Sequence, residues 1–200
     1  MAARVSRART AGRLLLGAVL AFAGTTHLTV AREEFQAQVP PWFPADPDAV
    51  VLVSGVVEIA LGTALVVAPR RRRAAVGWLV AAFFVAIFPG NVSQLVTRTD
   101  AFGLDSDAAR AVRLLGQPLL VAWALWSTGA WRTWRAGRTA AAREVGTAMA
   151  AGAGVGPDEV GRALRRAEAA VVEAAVVEAG LSATARRRAR TRAGRPPSAS

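Results

Sequence analysis

The chain has 200 residues, 53% of them hydrophobic, with 25 basic side chains against 14 acidic ones and a formal net charge of +11. It contains no cysteine, which excludes disulfides, thiol catalysis, Cys-ligated iron–sulfur clusters and covalent c-type haem. A single histidine likewise excludes a bis-imidazole haem or a His-rich metal site, so no metal is expected and any redox role needs a non-covalent cofactor or a partner.

The apolar residues come in long blocks rather than at amphipathic intervals. A hydrocarbon core of roughly 30 Å takes roughly 20 helical residues to cross. Four segments meet that length, residues 14–31, 49–68, 74–96 and 111–131. The first looks in part like a secretory signal, since Arg4, Arg7, Arg9 and Arg13 precede an apolar run. A signal's apolar core spans only about 7–15 residues, however, and three further spans follow, so it reads as a retained helix.

Arginine placement sets the orientation, because basic residues in short loops stay on the cytoplasmic side. Four Arg precede the first span, Arg70 to Arg73 separate the second from the third, and Arg132, Arg135, Arg138 and Arg143 follow the fourth. The other two loops offset their arginines with Glu33, Glu34, Asp46 and Asp48, and with Asp100, Asp105 and Asp107. The expectation is an all-α membrane four-helix bundle with both termini cytoplasmic. Its basic groups line up with membrane boundaries and no nucleic-acid module accompanies them, so anionic lipid rather than nucleic acid is the expected counter-charge. All the basic residues are Arg, the mark of a GC-rich coding sequence, and a bacterial cell membrane is the expected location.

Glu58 is the only charge in residues 49–68, and an ionisable group at bilayer depth marks a functional site or a specific polar partner. At about 1.5 Å per helical residue, His27 lies about 6 Å and Asn91 about 8 Å below the outer ends of their spans, Arg113 about 3 Å, Gln117 about 9 Å and Glu58 about 14 Å. All five fall in the outer half, where they form a pocket that can handle a proton at Glu58. Gly55, Glu58 and Gly62 share one helical face, as do Gly17, Gly24 and His27, and small residues let membrane helices approach closely. Pro89 and Pro118 lie in the same zone and should free the carbonyls of Val85 and Leu114.

Each residue also has a structural reading. Glu58 can pair with Arg113, His27 can bond a carbonyl, Asn91 and Gln117 can join helices, and Arg113 can reach to the outer surface. The loop VPPWFPADP, with Pro41, Trp42 and Pro44, is too proline-rich for helix and reads as an aromatic interface anchor or as a lid over the pocket.

Taken together, a histidine late in the first span, VPPWFP, SGVVE, RRRR, FPGN and RLLGQPLLVAWAL resemble the DoxX-like family of small four-helix membrane proteins. The resemblance covers about residues 12–131 and falls on His27, Pro41, Pro44, Ser54, Gly55, Glu58, Pro89, Asn91, Arg113, Leu114 and Gln117. It implies an accessory subunit of a quinone-linked redox complex, with an oxidoreductase partner and quinone as a non-covalent ligand, rather than an independent enzyme. The alternative is a binding or transport protein for a small lipophilic molecule, or a structural scaffold. Either way residues 1–136 form the membrane domain. Residues 137–157 read as an Ala/Gly linker, 158–181 as an amphipathic cytoplasmic helix, and 182–200 as a disordered basic tail that meets anionic lipid.

Overall fold

The computed structural model describes residues 6–150 and, beyond them, Asp158, Gly161, Arg162 and Arg165. The described residues are all-helical. In chain order they form α1 (Arg7–His27), α2 (Arg32–Gln36), α3 (Pro47–Val67), a 3₁₀ turn (Arg70–Arg72), α4 (Arg73–Val96), α5 (Asp107–Thr128) and α6 (Ala130–Ala150). Two compact units divide the chain, Met1–Trp131 and Arg132–Ser200. The amphipathic helix expected over 158–181 and the tail expected over 182–200 lie outside the described residues, those four positions apart.

Local chemistry explains where the helices depart from the expected boundaries. Asp46 caps α3 by accepting from the Ala49 N–H at 2.9 Å, with Pro47 as first helical residue, so α3 begins before residue 49. Ser106 caps α5 in the same way, and Gly129, at φ 79°, closes it in the left-handed conformation. The expected 111–131 helix is therefore displaced toward the N-terminus. In α1 the Thr25, Thr26 and Thr29 hydroxyls donate to carbonyls three or four residues back, and residues 28–31 leave the helix as turns.

These shifts bear on the expected four spans. Only α3 and α4, the latter with its 3₁₀ turn, are long and apolar enough to cross a membrane among the described residues. By ending at His27, α1 gives up Leu28, Val30 and Ala31 and includes Arg7, Arg9 and Arg13. α5 carries Asp107, Arg110, Arg113 and Gln117. Pro89 and Pro118 sit inside unbroken helices rather than in an irregular zone.

The helices of the first unit alternate in direction and pack side by side. Gly17 faces Gly62 and Gly24 faces Gly55, so α1 and α3 run antiparallel with backbones in contact: a Cβ on Gly24 would stand 2.5 Å from the Gly55 carbonyl oxygen. α4 and α5 meet as closely where Gly77 abuts Thr128. Trp123 ties α5 to α1 by donating from Nε1 to the Gly12 carbonyl at 3.0 Å. Arg13, though 4% exposed, is satisfied in the last turn of α3, where it donates to the Val66 carbonyl at 3.0 Å. Leu16, Leu20, Leu65, Val80, Ala81, Phe84 and Ala124 fill the core between the four helices.

The opposite end of this unit is cross-linked by short polar contacts. Asp48 accepts from Arg32 and, at 2.6 Å, from Gln36 Nε2, which fixes α2 on the start of α3. Glu34 Oε2 accepts from the Phe102 N–H at 2.8 Å, joining α2 to the loop between α4 and α5. Arg110, 5% exposed, pairs with both Asp100 and Asp107 and holds that loop on α5.

Residues 137–150 of the expected linker continue the α6 helix. Five of the residues from Gly137 to Ala150 are alanine, the strongest helix former, and they outweigh the two glycines.

Candidate functional site

The glycine contacts between α1 and α3 determine what faces what at the polar end. A Cβ on Gly24 would meet the Cβ of Glu58 at 2.9 Å, and one on Gly55 would meet the Cβ of His27 at 2.8 Å. Each glycine thus admits the polar side chain of the facing helix. His27 and Glu58, 6% and 4% exposed, approach with Nδ1 and Oε2 3.3 Å apart. Nδ1 donates its hydrogen bond to the Ala23 carbonyl at 2.8 Å rather than to Glu58, and Oε2 is left buried without a hydrogen-bond partner. The geometry fixes the Nδ1–H tautomer and leaves Nε2 as the acceptor of the neutral ring.

This pair borders a cavity of about 740 Å³. His27, Glu58, Asn91, Arg113 and Gln117, the five residues expected to converge from the sequence, all line it, one or two from each of α1, α3, α4 and α5. Gln117 Oε1 is a second buried acceptor without a partner. Arg113 makes no ion pair with Glu58; its guanidinium carbon lies 4.8 Å above the ring of Phe102. The remaining lining is mostly aliphatic and aromatic, and Leu16, Leu20 and Phe84 belong to both the cavity wall and the core.

The supporting residues divide. Ser54, Pro89 and Trp42 line the cavity, Gly55 acts through its contact with α1, and Pro41 lines an adjacent groove of about 530 Å³ with Trp42 and Pro89. Pro44 and Pro118 line neither. The proline-rich loop contributes Val39, Pro40, Trp42 and Phe43 to the cavity lining, the arrangement of a cover.

Two aromatic residues escaped the sequence reading. Phe35 stacks on His27 with ring centroids 3.4 Å apart and meets Phe102 edge-on at 4.6 Å, so an aromatic bridge runs from His27 to the ring beneath Arg113. Phe102 holds this place at φ 58°, a strained conformation for a bulky side chain, with its N–H on Glu34. A lone phenylalanine in each of two otherwise polar segments was the available signal.

A family model described as a domain of unknown function, DUF8561, matches residues 16–128. The chain belongs to that family. No curated protein and no solved structure matches it. The DUF8561 match begins within α1 and ends with the last residue of α5, so it includes every cavity-lining residue and excludes α6. Chemically, the DUF8561 cavity offers a carboxyl group, an imidazole, three amides, a hydroxyl and a guanidinium in an otherwise apolar lining. No cluster of three or more metal-ligating side chains occurs among the described residues.

Proposed function

We propose that this protein is a four-span protein of a bacterial cell membrane with both termini on the cytoplasmic side, and that its cavity binds a small lipophilic molecule. The observation that carries the ligand is the cavity itself: it holds a partly unsatisfied polar group at Glu58 and at Gln117, surrounded by apolar wall. Small-molecule sites combine a largely apolar lining with a few placed polar groups in this way. Its volume of about 740 Å³ suits a ring or head group with part of a hydrocarbon chain.

Exposed apolar side chains support the membrane part. Leu15 and Phe22 on α1, Val53 and Val56 on α3, Leu79 and Val85 on α4, and Leu115, Leu119 and Trp126 on α5 are exposed on the outside of the unit. Soluble monomers rarely expose apolar surface so extensively. Helices α1 and α5 would then cross with their charges at the ends or turned toward the cavity.

His27 and Glu58 supply polar contacts along the bound molecule, and Glu58 is a group that can take or give a proton there. An accessory role beside an oxidoreductase, with quinone as ligand, rests on the DoxX-like resemblance, and no feature of the cavity favours it over simple binding. Native mass spectrometry of the full chain released from native-lipid nanodiscs tests the proposal. A discrete small-molecule adduct is expected, whereas a bare chain accompanied only by bulk phospholipid would contradict it.

A further inference from the structure

We infer that the molecule held in this cavity is a lipophilic anion, its oxyanion head on Arg113 and its hydrocarbon part along the apolar wall. This rests on the ligand-binding reading above and concerns the class of ligand.

Arg110 and Arg113 are neighbours on one face of α5 and are treated very differently. Arg110 is buried to 5% exposure and compensated by two carboxylates, Asp100 and Asp107. Arg113, one turn deeper, is half-buried and lines the cavity, with no hydrogen bond or ion pair to any described residue. Its guanidinium carbon lies 4.8 Å from the centroid of the Phe102 ring. Of the acids at this end, Glu34 bonds the Phe102 N–H, Asp48 holds Arg32 and Gln36, Asp46 caps α3 and Asp107 also pairs with Arg98, while Glu33 and Asp105 are exposed and do not line the cavity. Glu58, the only carboxylate lining the cavity, stands against His27.

A guanidinium drawn partly out of water needs a counter-charge, and among the described residues no carboxylate lies within ion-pair distance of Arg113. The planar fork of donors matches a carboxylate, sulfonate or phosphate oxygen pair. The rest of the wall near α1, Leu16, Val19 and Leu20, offers only hydrocarbon, which suits a chain and not a second charge. An amphiphile with one anionic head satisfies both surfaces together.

The test uses the full chain in phosphatidylcholine nanodiscs, with dansyl-labelled undecanoic acid and its methyl ester as probes and empty nanodiscs subtracted. The two probes share chain and fluorophore and differ in charge. A charge-assisted contact predicts that the acid binds about tenfold more tightly than the ester. Arg113→Gln should cut that preference to about twofold or less, with ester binding retained as evidence of an intact cavity. Arg113→Lys, which keeps the charge, should retain a preference for the acid. Equal binding of acid and ester to the wild type, or an undiminished preference in Arg113→Gln, would overturn the ligand class while leaving the cavity reading standing. If neither probe binds above empty nanodiscs, the cavity reading fails and the ligand class fails with it.

Discussion

Gly24→Val should lower the unfolding temperature of the purified protein by roughly 2–12 °C, as expected for a loss of about 1–3 kcal/mol from overpacking in a chain of this size. The new Cβ would stand 2.5 Å from the Gly55 carbonyl oxygen and 2.9 Å from both Glu58 Cβ and Ile59 Cγ1. A backbone oxygen cannot swing aside as a side chain can, so α1 and α3 must separate. That separation also parts His27 from Glu58, whose 3.3 Å approach depends on the Gly24–Gly55 crossing. Ligand binding should therefore fall with stability. Thermal unfolding in detergent is the measurement, and a variant as stable as the wild type would show that the helices are not held by this crossing.

The second large effect separates polarity from charge at one position. Glu58→Lys would place an ammonium group beside His27 in a wall that holds no other carboxylate. An uncompensated buried charge costs about 3–5 kcal/mol, a large fraction of the about 5–15 kcal/mol that holds a typical protein folded, so the yield of folded protein should fall sharply. Glu58→Gln keeps the shape and polarity and loses only the ability to ionise, so its stability should stay within about 1 kcal/mol of the wild type. Yield of folded protein and unfolding temperature, measured on both variants, decide the point. Equal behaviour of Lys and Gln would mean that Glu58 faces water rather than the enclosed wall.

How much of this was legible in the sequence depends on the length scale of the interaction. The convergence of His27, Glu58, Asn91, Arg113 and Gln117 followed from counting residues along helices of alternating direction, because helical rise is fixed by backbone geometry. The two glycine faces were legible for the same reason, though not that Gly17 would meet Gly62 and Gly24 would meet Gly55. Helix ends were less so: hydropathy marks the apolar stretch, whereas Asp46, Ser106 and Gly129 set where the backbone turns. Phe35 and Phe102 were missed because their roles arise only when α2 and the loop after α4 fold over the same cavity. The Glu58–Arg113 pairing, one of the structural readings, gave way to His27, which the Gly24–Gly55 crossing brings closer.

Gly116 offers the most direct measurement on the binding cavity. It lines the cavity in mid-α5, and a Cβ added there meets nothing within 4 Å, so a large side chain can enter without displacing the fold. Gly116→Phe, examined by native mass spectrometry beside the wild type, should lose the small-molecule adduct while its unfolding temperature in ligand-free detergent is unchanged or raised. An adduct that persists undiminished in Gly116→Phe would contradict binding in this cavity.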